Sequence, residues 1–110
     1  MPRHNLGEFE QLVLLTLMRL GEHAYGAGIR AEILERTGRS ITPGAIYPTL
    51  DRLEQRGLVT SHWGEPTSER GGRAKRHFAL TRAGVAEIRR AWQHTAALAR
   101  GFEAFLGKVK

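Results

Sequence analysis

A mainly helical α+β fold is predicted: three short helices, a β-hairpin and one long last helix. Three observations point to it. Apolar residues recur at helical spacing in residues 6–20, 24–37 and 42–56, and each stretch is closed by a glycine, Gly21, Gly38 or Gly57. Two runs with period-two alternation, 58–64 and 74–80, flank a polar loop that carries glycines. From Arg82 onward apolar residues step by three and four over roughly 25 positions.

Composition bounds the rest. A chain of 110 residues is one ordinary domain. With 41% hydrophobic and 25% charged residues it has enough apolar matter for a packed core. The net charge is +6 and the isoelectric point about 10.8, which directs attention to polyanionic partners. The absence of cysteine excludes disulfides, thiolate nucleophiles and cysteine-based zinc sites. Residues 1–20 carry no secretory signal pattern. The apolar run Leu12–Leu20 is interrupted by Thr16 and Arg19 and is too short to span a bilayer. A cytoplasmic location without a membrane partner is expected.

The first helix, Leu6 to Leu20, places Phe9, Leu12, Val13, Leu17 and Leu20 on one stripe. Leu14, Leu15 and Met18 widen that stripe beyond one face, so this helix is expected to be covered on more than one side. The second helix, Ala24 to Thr37, has Ile29 and Ile33 on a common face and Gly38 as its C-terminal cap. Thr42 is a suitable N-cap for the third helix, and Pro43 suits its first position. Ile46, Leu50 and Leu53 share its inner face, while Pro48 removes a backbone donor one turn in and restricts the start to about Thr42. Val59, Ser61 and Trp63 alternate on one strand; Phe78 and Leu80 share a face of the next. Thr81 caps the last helix, Arg82 to about Leu106, and Val85, Ile88, Trp92, Thr95, Ala99, Phe102 and Leu106 form a heptad seam.

Three helices followed by a hairpin make a winged helix-turn-helix, in which the third helix enters the DNA major groove and the hairpin flanks it. At 100° per residue, Gly44, Pro48, Asp51 and Gln55 face away from the inner stripe, with Ala45 and Arg52 on one flank and Tyr47 on the other. The N-terminal half of that outer face is small and uncharged, which suits close approach to base edges. Other motifs do not hold. "YGAGIRA" has dinucleotide-fingerprint spacing but follows a helix and a short turn instead of a strand. "SERGGRAKR" lacks the Gly-Lys-Ser/Thr ending of a P-loop. The five histidines have no metal spacing, and His62 with His77 reads as a cross-strand surface pair. No nucleophile is accompanied by a base and an orienting group, so an enzyme is not expected, nor a cofactor or a metal.

The segments "LGEFEQLVLLTLMRLGEHAYG", "TPGAIYPTLDRLEQRGLVTS" and "ERGGRAKRHFALTRAG" together resemble the PadR-type transcriptional regulators over almost the whole chain. The most specific part is Gly44-x-x-Tyr47 followed by Thr49, Leu50, Leu53 and the exit Arg56-Gly57-Leu58-Val59. The resemblance implies a homodimeric winged-helix repressor of bacterial type, of the short subtype with a single C-terminal helix. It implies dimerisation through the first and last helices, and DNA contacts from Tyr25, from Tyr47 and its neighbours, and from the wing. Some members bind aromatic compounds near a tryptophan on the last helix, and Trp92 stands at the matching place.

The expected organisation is therefore a DNA-binding unit, residues 1–81, joined in one compact body to a dimerisation helix, residues 82–110. DNA contact is expected from Tyr25, Thr42, Gly44, Ala45, Tyr47, Pro48, Thr49 and Arg52, and from Arg70, Arg73, Lys75 and Arg76 of the wing. Dimer contact is expected from Phe9, Leu14, Val85, Ile88, Trp92, Ala99, Phe102 and Leu106. The partners would be double-stranded DNA with a pseudo-palindromic site, a second copy of the chain and a small aromatic effector beside Trp92. The rival expectation is a non-specific architectural or protein-interaction module on the same fold.

Overall fold

The computed structural model describes residues 5–65 and 74–107. In chain order the elements are α1 (Glu8–Leu20), β1 (Ala24–Tyr25), α2 (Gly26–Thr37), α3 (Pro43–Gln55), β2 (Val59–Trp63), β3 (Arg76–Leu80), α4 (Arg82–Ala99) and α5 (Glu103–Leu106). A 3₁₀ turn, Gly21–His23, joins α1 to β1. The architecture is mainly helical with one small antiparallel sheet, as the sequence predicts.

Local chemistry accounts for the helix starts. The Gly7 N–H donates to Glu10 Oε1 at 2.9 Å, which opens α1. Thr42 Oγ1 accepts from the Ala45 N–H at 3.2 Å, and Pro43 occupies the first position of α3, as expected. Pro48 is tolerated in the exposed N-terminal half of α3, where it interrupts the helix bonding only once. Arg30 Nε donates to the Ile41 carbonyl at 2.7 Å and so pins the turn between α2 and α3.

Two expectations about the elements are corrected. Ala24 and Tyr25 do not begin the second helix; they form a strand that pairs with β3 through Ala24↔Phe78 and Tyr25↔His77. The sheet has three strands in the order β1-β3-β2, not two. The physical reason is that β3 would otherwise leave the backbone groups of one edge unpaired beside the buried Ala24. The second correction concerns the last helix, which does not run unbroken to Leu106. It ends at Ala99, Arg100 is extended, and Gly101 has φ 93°. Only glycine adopts that φ without a steric penalty, so the chain turns there and α5 sets off in a new direction.

Val13, Leu14, Leu17, Ile29, Ile33, Ile46, Leu50, Leu53 and Phe78 form a sealed core, with Ile88 of α4 closing it. Leu14 and Ile88 were expected at the dimer seam; both belong to the protomer's own core, because α1 and α4 pack their inner stripes on each other and on β3. At the joint between the hairpin and α4, Thr81 Oγ1 donates to the Gly57 carbonyl at 2.7 Å and accepts from the Gly84 N–H at 3.0 Å. Gly84 lies so close to Leu58 that a β-carbon there would sit 3.1 Å from the Leu58 carbonyl carbon and press on its oxygen. Alanine normally favours a helix over glycine by about 1 kcal/mol. Here Gly84→Ala is expected to lower stability by roughly 1–3 kcal/mol, read by urea unfolding. A gain in stability would contradict this joint.

Candidate nucleic-acid interface

The inner stripe of α3 determines what its other side presents. With Ile46, Leu50 and Leu53 buried, Thr42, Pro43, Gly44, Ala45, Tyr47, Pro48, Asp51, Arg52 and Gln55 are exposed. Thr49 is the exception among the expected contacts and is corrected: it is 2% exposed. Its hydroxyl donates to the Ala45 carbonyl at 3.0 Å and accepts from Arg52 Nη2 at 3.0 Å. Thr49 thus faces the protein and steadies Arg52, whose other neighbour is the Glu10 carboxylate at 3.9 Å.

The wing is tied to α3 by one arginine. Arg76 Nη2 donates to Glu54 Oε1 at 2.8 Å, Nη1 lies 3.2 Å from Asp51 Oδ1, and Nε donates to Ser61 Oγ at 3.2 Å. The same guanidinium lies 4.9 Å from the centre of the Phe78 ring. In the free chain its donors are therefore directed at the protein, and Arg76 clamps β3 to β2 and α3. Lys75 differs: its Nζ stands 4.4 Å from the centre of the Tyr25 ring, a cation–π contact at the surface. Arg70 and Arg73 lie outside the described residues.

Tyr25, Gly26, Tyr47, Trp63, Lys75 and Arg76 surround an open notch of about 490 Å³ between the starts of α2 and α3 and the base of the wing. Trp63 is 68% exposed there and was not among the contacts expected from the sequence. Its signal was an indole at the end of an alternating strand, directly before a basic loop. Across β3 from Tyr25, whose ring centre lies 6.1 Å away, His77 meets His62 with ring centres 5.4 Å apart and His23 at 6.1 Å. Desolvation, then the neighbouring His62, His23 and Lys75, hold His77 below its ordinary value of 6.5. Among the described residues no group of histidines and carboxylates could hold a metal ion.

A second surface feature lies away from α3. Leu15, Met18, Val85, Ile88, Arg89 and Trp92 line a groove of about 530 Å³ between α1 and α4. Beyond it Leu98, Phe102, Phe105 and Leu106 are exposed. Phe9 is half-buried against the core under the Arg39 guanidinium, and Ala99 is partly covered. No helix among the described residues is long and apolar enough to cross a membrane.

These features have counterparts in known proteins. The profile of a family described as transcriptional regulator PadR-like matches residues 14–90. The chain belongs to the PadR-like family. That places it among DNA-binding transcriptional regulators, not enzymes. The transcriptional regulator YqjI of Escherichia coli is 36% identical over 79 residues, which are 72% of this chain and 35% of that protein. The transcriptional regulator Rv3488 of Mycobacterium tuberculosis is 40% identical over 75 residues, 66% of this chain and 65% of that one. The chain thus spans about a third of the first relative and just under two thirds of the second. The crystal structure of a PadR family transcriptional regulator from Eggerthella lenta superposes with a TM-score of 0.68 at 27% identity, covering 93% of this chain and 88% of that one. The family match runs from within α1 through α3 and both hairpin strands to the middle of α4.

Three outcomes follow from this geometry. Lys75→Ala is expected to reduce the slope of log affinity against log salt by roughly one unit, measured by DNA titration at several ionic strengths. Arg76→Ala should weaken binding with that slope unchanged, because the loss is of a clamp and not of a phosphate contact; equal slope changes for both would contradict the division. For His77, the folded chain takes up its proton less readily than the unfolded chain. It costs no stability above about pH 6.5 and costs increasingly more as pH falls through that value. Thermal unfolding of His77→Gln between about pH 7 and pH 5 should therefore fall off less steeply than that of the parent.

Proposed function

We propose that the chain is a sequence-specific repressor that binds a pseudo-palindromic duplex site as a homodimer and is released by a small aromatic effector. The observation that carries this reading is the outward face of α3. It combines a small, uncharged N-terminal half with the 40% exposed ring of Tyr47, beside a cationic wing base. Gly44, Ala45 and Pro48 allow close approach to base edges, and Tyr47 supplies a ring and a hydroxyl to read them. Thr42, at the α3 N-terminus, lies where a helix favours a phosphate, and Arg52 flanks the face. Tyr25 and Lys75 are proposed to hold the sugar–phosphate backbone, and the cationic Arg70 and Arg73, in the sequence between the two hairpin strands, are proposed to add to that contact.

Homodimerisation is supported by the apolar surface that one protomer leaves open. Leu15 and Met18 of α1, Trp92 and Leu98 of α4, and Phe102, Phe105 and Leu106 around α5 are all at least 40% exposed. So much apolar surface on a small domain favours association with a second copy. Val85 and Ala99 are partly covered within the same surface, and Phe9 belongs at its margin. The break at Gly101 replaces the continuous heptad seam with two apolar faces at an angle. The groove beside Trp92 has the volume of a small-molecule site, and its walls suit a flat apolar ring. An effector there, between the protomers, would change the spacing of the two α3 helices and so release DNA.

The dimer is tested by Phe102→Glu. Sedimentation should show a monomer at micromolar concentration, and affinity for a two-half-site duplex should fall while affinity for a single half-site is kept. A dimer as tight as the parent would contradict the assignment of this surface.

A further inference from the structure

The stretch "YGAGIRA" was set aside as a cofactor fingerprint, and its glycines still need a reason. Gly28 has no steric one, since a β-carbon there would meet the Tyr25 ring at 3.5 Å, an ordinary contact. Gly26 does. It is the buried first residue of α2, with a backbone that any residue can adopt, so its φ is no reason for glycine. The reason is space. A β-carbon at position 26 would lie 2.8 Å from Tyr47 Cε1 and nearer still to Cζ and the hydroxyl oxygen. The end of the Tyr47 ring occupies the volume that any side chain at position 26 would need.

We propose that Gly26 is a positioning residue for Tyr47: its bare backbone is the seat that holds the ring of α3 in one orientation at the mouth of the notch. One part of the ring rests on the start of α2, and 40% of the residue stays exposed for a partner. A side chain held in place before binding loses less rotamer freedom when it binds. α2 therefore contributes to recognition without touching the duplex itself at this position. The inference rests on the proposed reading role of Tyr47.

The test is a double-mutant cycle on the full chain with G26A, Y47A and the pair, using a duplex site enriched from a random pool and a random duplex of equal length. G26A should lower the ratio of specific to random affinity roughly tenfold, with the affinity for random DNA and its salt slope unchanged. The pair should show no larger loss than Y47A alone, because the seat acts only through the ring. Tyr47→Phe should not restore G26A, since the crowded ring carbons remain. Thermal melting of all variants covers the case in which G26A folds poorly: adding Y47A should then recover the melting temperature. The proposal is overturned if G26A leaves the ratio intact while Y47A lowers it, if the two losses multiply, or if the pair melts as low as G26A alone. If Y47A itself leaves the ratio unchanged, the reading role fails and the proposal fails with it.

Discussion

Burial of Ile46, Leu50 and Leu53 is the constraint on which everything else here depends. Three apolar residues on one stripe settle the rotation of α3 about its own axis, and the opposite side is then turned to solvent with no further choice. That side carries the residues proposed to read DNA. A rotation by one residue would bury Tyr47 and expose Ile46, at a cost of roughly 2–5 kcal/mol for an aliphatic side chain lost from the core.

Polar ties then hold the pieces that surround α3. Glu10 of α1 accepts from the Gly7 N–H and lies 3.4 Å from Arg56 at the end of α3. Arg56 also reaches Glu87 of α4 at 4.0 Å, and Glu87 pairs with Arg90 at 3.1 Å. On the other side Arg76 joins the wing to Asp51 and Glu54 of α3. Pairs such as these, long or partly open to solvent, contribute little individually to stability. Their effect is on orientation: the reading helix, the wing and the helix that carries the open apolar surface are fastened to one another. In the proposed dimer, a change between protomers would in this way be felt at α3.

Much of this was legible in the sequence because it rests on short-range chemistry. The Thr42–Pro43 start of α3, the Thr81 cap of α4 and the alternation through Val59 and Phe78 are local signals, and each is present. What the sequence hid depends on distant partners. β1 is two residues long, and only its pairing with β3 makes it a strand. Leu14 and Ile88 have the same periodicity whether they face a second copy or their own core. Thr49 and Arg76 are polar, and polarity alone does not reveal that Ala45, Asp51 and Glu54 already engage them. The break of the last helix had a visible sign, Gly101, but a strong apolar repeat on either side masked it. The role of Gly26 required knowing where a tyrosine 21 positions later would lie.

The central claim is that α3, held as described, reads a specific duplex sequence. Selection of bound duplexes from a random pool with the purified chain addresses it most directly. An enriched motif of two inverted half-sites is expected, with their centres about one helical turn, roughly 34 Å, apart. A pool that binds but shows no enriched sequence after repeated rounds would contradict it.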